Sequence, residues 1–224
     1  MTNPNLTHIV AILDRSGSMS TIKTDTEGGF DAFIAEQAKV EGECKVTLVQ
    51  FDTDYEVVYS NRDVKEVPSL ELQPRYWTAL HDALGRAVTE KGRELRNLPE
   101  NRRPGSVIVL VLTDGLENSS KEWSKSAVRK LIEEQQDKWN WTFVFLGANQ
   151  DAVLTGTDLG FRPGYSLTYG GEYVMNALQT TASNIGNYRT ARMAGISHDV
   201  AVLDSSFTED DRKEALTGTT GTSN

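Results

Sequence analysis

The chain has 224 residues, 38% of them hydrophobic and 25% charged, and its 23 Lys and Arg against 32 Asp and Glu leave a formal charge of -9. That length supports a core burying about 70% of the unfolded surface, while the acidic balance is the wrong sign for binding phosphate backbones through counterion release, so no nucleic-acid partner is expected. The longest apolar runs, residues 107–112 and 143–146, fall far short of the ~20 residues a membrane helix needs. No membrane partner is expected either, and no basic-then-apolar leader opens the chain. A lone cysteine, Cys44, excludes an internal disulfide and fits a reducing, cytoplasmic location.

In chain order, residues 6–13 are almost continuously apolar, the pattern of a strand covered on both faces. Over residues 20–40, Ile22, Phe30, Phe33, Ile34 and Ala38 recur at helical spacing. Gly28 and Gly29 in the middle cost about 1 kcal/mol each relative to Ala, which predicts a bend or break. Residues 46–51 and 55–59, separated by a polar turn, predict a hairpin whose second arm is an antiparallel edge. After Pro68 and Pro74, Thr78 is placed as the amino cap of a helix whose apolar side reads Leu80, Ala83, Leu84, Ala87 and Val88.

The most hydrophobic strand, residues 106–112, runs into Thr113, Asp114 and Gly115, and Trp123, Ala127, Val128, Leu131 and Ile132 mark the helix after it. A strand over 141–146, a short helix over 152–159, a strand over 165–169 and a long helix containing Val174, Leu178 and Ile185 complete the alternation. The fold class expected is α/β: a doubly wound, Rossmann-like three-layer sandwich, mostly parallel with one antiparallel edge strand and strand order 3-2-1-4-5-6. It occupies residues 1–193. Residues 194–224 are expected to form an acidic, mobile tail, whose one local order signal is Thr208 followed by Asp211, a helix-capping pattern.

Asp14-Arg15-Ser16-Gly17-Ser18 directly follows the first strand, and Asp114 follows the strand expected beside it, so both lie at the carboxyl edge where open α/β sheets bind ligands. Two carboxylates and the hydroxyls of Ser16 and Ser18 are hard oxygen donors, which suit Mg²⁺, with Mn²⁺ as the alternative. For the pentapeptide alone, a helix-capping turn is an equally good account.

The segment Leu13-Asp14-Arg15-Ser16-Gly17-Ser18-Met19, taken with Thr78 in Tyr76-Trp77-Thr78-Ala79-Leu80 and with Thr113-Asp114-Gly115, resembles the metal-ion-dependent adhesion site (MIDAS) of von Willebrand factor type A (VWA) domains. The family pattern is Asp-x-Ser-x-Ser, then a lone Thr, then an Asp, and the resemblance covers residues 6–190. It implies that Ser16 and Ser18 ligate the ion directly. Thr78 joins or leaves as loops shift, and Asp14 and Asp114 act directly or through water. An open coordination position takes an Asp or Glu from a protein partner. Family members often carry glycines before the Thr, where Tyr76 and Trp77 stand here. The chain is most similar to standalone bacterial and bacteriophage members, which implies an intracellular adaptor or regulator.

Two other classes compete. A metal-dependent phosphohydrolase or phosphotransferase would need a positioned base or a phosphate-holding Lys beside Asp14; neither is visible, so no enzymatic activity is expected. A structural or assembly protein would keep the fold and bind without metal. His81, one turn past Thr78, reads as structural, and Cys44 as a buried small residue. Tyr76 and Trp77 divide evenly between core packing and an exposed anchor for a partner. Glu117 and Asn118 are close enough to Asp114 to tune a metal's rim, but read more simply as loop polarity.

Overall fold

Two of the most apolar stretches of the chain lie side by side. In the computed structural model, which describes residues 2–148 and 151–219, β1 (Asn3–Asp14) and β4 (Pro104–Thr113) are parallel neighbours with Ile9 opposite Ile108 and Leu13 opposite Leu112. β2 (Glu43–Phe51) flanks β1 in parallel, and β3 (Tyr55–Asp63) turns back on it as the antiparallel edge. On the other side, β5 (Thr142–Ala148) and β6 (Ser166–Tyr169) continue the parallel run. The six-stranded order is β3-β2-β1-β4-β5-β6, the doubly wound arrangement the strand and helix alternation predicts.

Alternate residues of β1 serve opposite layers. Ile9, Ala11 and Leu13 pack with Phe30 and Phe33 of α1 (Lys23–Lys39) and with Leu178 and Ile185 of α5 (Val174–Met193). Val10 and Ile12 face Leu84 and Val88 of α2 (Leu80–Arg96) and Val128 and Ile132 of α3 (Lys125–Trp139). Both faces of the central strands are therefore dry, which is why those strands are continuously apolar. Among the described residues no helix is long and apolar enough to cross a membrane.

Three local expectations are corrected. α1 runs unbroken through Gly28 and Gly29, because Gly29 is where α5 comes close: a Cβ there would lie 2.9 Å from Leu178 Cδ1 and 3.2 Å from Met175 Cα. Thr78 is not the amino cap of α2, since that position falls to Ala79, and its hydroxyl is left for other use. The segment after residue 193 is no loose tail over its described part. α6 (His198–Asp204) and α7 (Glu209–Thr217) follow α5, and Ala201, Val202, Phe207 and Ala215 are buried in the α1/α5 core layer. Four apolar side chains spaced among many acids suffice to dock two short amphipathic helices. The Thr208–Asp211 capping box is formed as predicted. Residues 220–224 of the expected tail lie outside the described residues.

Candidate metal centre

β1 delivers Asp14 to the carboxyl edge with its carboxylate fully buried. Its Oδ1 accepts the Ser16 backbone N–H at 2.6 Å and its Oδ2 accepts the Thr113 hydroxyl at 2.6 Å, so one side chain ties the β1 loop to the end of β4. Ser16 Oγ and Ser18 Oγ are 3.1 Å apart, and Ser18 Oγ donates to Asp114 Oδ1 at 2.7 Å. Thr78 arrives from a third loop. A Cβ built on Gly115 would sit 3.1 Å from Thr78 Oγ1 and 3.6 Å from Ser18 Oγ, so Gly115 leaves open the space these hydroxyls share. The structure thus brings Asp14, Ser16, Ser18, Thr78 and Asp114 together.

Burial pushes the Asp14 carboxyl up to about 6; the Thr113 hydroxyl and the Ser16 N–H oppose the shift, and Asp114 adds to it. Burial also raises Asp114, against the Ser18 hydroxyl bond. Arg15, the cation nearest in sequence, turns away to Asp52 and Glu56. Two partly desolvated carboxylates amid hydroxyls form an environment that a cation would relieve. The donors present are all hard oxygen, which fits a small divalent ion. Among the described residues no group of three or more His, Cys, Asp and Glu could hold a metal, so the hydroxyls are essential to any such set.

The three loops are held by residues that do not belong to the donor set. Asp52, fully buried, accepts Arg15 Nε at 2.9 Å and Arg75 Nε at 2.8 Å on the same oxygen. Its backbone C=O accepts the Ala79 N–H at 3.0 Å, and Arg75 N–H donates to the Arg15 C=O at 2.9 Å. On the other flank, Thr78 N–H donates to Asn118 Oδ1 at 2.9 Å, and Thr78 C=O accepts the Asn118 N–H at 3.1 Å. Glu117 accepts the His81 and Ser119 backbone N–H groups, both at 2.9 Å, and Asp82 accepts those of Lys121, Glu122 and Trp123.

Asn118 and Glu117 are thereby structural supports of the Thr78 loop. Asp52 escaped sequence reasoning because an Asp after a strand reads as turn chemistry, and its partners Arg15 and Arg75 lie 37 and 23 residues away in the chain. Tyr76 and Trp77 are exposed, at 60% and 68%, not core residues. Two further histidines and the cysteine are engaged elsewhere: His8 is buried against Thr47, His198 against Tyr188, and burial pushes the Cys44 thiol up to about 11. His81 Nδ1 lies 3.8 Å from Glu117.

No family model and no curated protein matches the chain. Solved structures do. The VWA domain of the type V pilus tip protein Mfa5 from Porphyromonas gingivalis superposes with a TM-score of 0.58 at 10% identity, covering 85% of this chain and 96% of that one. VWA2, an ArnB paralog from Sulfolobus acidocaldarius, gives 0.51 at 16% identity over 78% of this chain and 44% of its own. Proximal thread matrix protein 1 of the mussel byssus, in a form whose MIDAS motif is occupied by zinc, gives 0.53 at 16% identity over 76% of this chain and 46% of its own. The chain spans less than half the length of the last two proteins. With the strand order, the antiparallel edge and the loop cluster in place, the fold of this chain is that of the von Willebrand factor A domains.

Proposed function

We propose that the chain is a divalent-metal-dependent protein-binding module. The hydroxyls of Ser16, Ser18 and Thr78, with the carboxylates of Asp14 and Asp114, hold Mg²⁺, or Mn²⁺ in its place. When bound, the ion supplies a positive, oxygen-seeking centre for an Asp or Glu side chain of a partner protein. The observation that carries this reading is the 2.7 Å bond from Ser18 to Asp114, which closes a hydroxyl and carboxylate cluster drawn from separate loops. The zinc-occupied MIDAS motif of the structurally similar mussel protein supports a divalent ion as the occupant.

The reading is non-enzymatic: Ser16 and Ser18 bond to each other and Ser18 donates to Asp114, and among the described residues no imidazole or amine is bonded to either hydroxyl to activate it. A module of this kind serves as an adaptor or regulator inside the cell. Calorimetric titration with MgCl₂ and MnCl₂, followed by pull-down from cytoplasmic lysate with Mg²⁺ or EDTA, tests it. Saturable metal binding and a partner captured only with metal, both lost in the Ser16→Ala/Ser18→Ala variant, are the expected results. Wild-type protein that binds no metal, or identical capture in every lane, overturns the reading.

A further inference from the structure

The three most exposed large apolar side chains near the candidate centre are each within two residues of one of its oxygen donors. Trp77, 68% exposed, and Tyr76, 60%, immediately precede Thr78; Leu116, 66%, follows Asp114. Exposed apolar groups clustered around a polar centre mark an interaction surface rather than chance exposure. The backbone at Tyr76 adds an independent observation. Its φ of 58° is a left-handed conformation that glycine adopts freely and a bulky side chain disfavours. An aromatic ring is nevertheless held there in solvent, with the Arg75 guanidinium 5.0 Å from its centroid.

The backbone that carries the ring is pinned on both sides. The Tyr76 C=O accepts the Gly17 N–H of the Asp14–Ser18 loop at 3.2 Å, and Arg75 is anchored through Asp52. Positioned aromatic groups lose little conformational entropy on contact and dominate interface energetics. We infer that Tyr76, Trp77 and Leu116 form an apolar platform that selects, among acidic protein segments, those whose Asp or Glu is flanked by aromatic or large aliphatic side chains. This inference rests on the metal-dependent reading above and adds specificity to it: the ion takes the carboxylate and the platform takes its neighbours.

The test uses two synthetic peptides, a Gly/Ser segment carrying a single Asp and the same segment with a Phe on each side of that Asp. Both are titrated into the full chain with Mg²⁺ and with EDTA. Wild-type protein is expected to bind the Phe-flanked peptide about tenfold more tightly than the other, with metal only. Trp77→Ala and Tyr76→Gly are expected to bind the two peptides equally. Thermal melts confirm folding, and Tyr76→Gly, which takes the same backbone conformation without its steric cost, should melt no lower than wild type. Metal-dependent binding of both peptides with equal affinity overturns the platform and leaves the metal reading standing. Binding of neither peptide, or binding that survives EDTA, overturns both.

Discussion

Thr78 and Asn118 are paired in both directions across 40 residues of sequence: the Thr78 N–H donates to the Asn118 side chain at 2.9 Å and the Asn118 N–H donates to the Thr78 C=O at 3.1 Å. The loop that presents the Thr78 hydroxyl is therefore registered against the loop that carries Asp114. Asn118→Ala should destabilise the fold by about 1–2 kcal/mol, the cost of leaving a buried N–H without its acceptor, and weaken metal binding together with it. Asn118→Asp, which keeps the acceptor, should restore most of the stability. Urea denaturation and calorimetry measure the two effects.

Asp52 bridges Arg15 and Arg75 from a fully buried position. Removing one member of a buried charge cluster leaves the others uncompensated. Asp52→Ala should therefore cost about 3 kcal/mol, the low end of the usual range because Glu56 and Asp54 still reach the two arginines. Chemical denaturation checks this; a loss below about 1 kcal/mol would show that the bridge is incidental.

Trp123 packs on α2 at Gly85, where a Cβ would meet the indole at 2.0 Å. Gly85→Ala must displace the ring and with it the end of the loop that begins at Asp114. A destabilisation of about 1–3 kcal/mol is expected, in the range of overpacked cores. The displaced Trp123 should also lower affinity for Mg²⁺. Unchanged stability would mean that the loop floats free of α2.

Divalent metal should stabilise the protein by mass action. At a concentration 100-fold above Kd the gain is about 2.7 kcal/mol, which for a domain of this size raises Tm by about 5–10 °C. Ser16→Ala/Ser18→Ala should show no such rise. Differential scanning calorimetry with MgCl₂ and with EDTA gives the comparison directly.

His8 is buried against the Thr47 hydroxyl with Lys91 and Lys45 nearby, and burial first, then those charges, lowers its pKa from 6.5 to about 3. Between these values only the unfolded chain takes the proton. The stability His8 permits is thus intact above its unfolded pKa and is lost as pH falls toward 3, with a slope approaching about 1.4 kcal/mol per pH unit. Asp14, whose pKa is raised, acts in the opposite sense, so the informative quantity is the difference between wild type and His8→Gln. That difference should shift in favour of the variant as urea titrations move from pH 7 to about 5. A constant difference would place His8 in contact with solvent.

The alternation of dry strands and amphipathic helices was legible along the chain because those periodicities are local, set by which faces must be hidden within one element. From it followed the strand order and the position of Asp14 and Asp114 at one edge. The hydroxyl and carboxylate character of the centre was legible too, since residue type alone decides which donors are hard. Tertiary structure decided what depends on partners distant in sequence. Gly28 and Gly29 read as helix breakers until α5 is seen resting on Gly29. The acidic composition after residue 193 conceals that Ala201, Val202, Phe207 and Ala215 complete a core layer. Asp52 and Asn118 looked like ordinary turn residues because a side chain's hydrogen-bond partner leaves no periodic trace. Tyr76 and Trp77 could not be assigned to core or surface from sequence, because residue type does not say whether an aromatic pair is buried in its own fold or left for a partner; the left-handed turn at Tyr76, its C=O bond from the Gly17 N–H of the β1 loop and the exposure of both rings are tertiary facts.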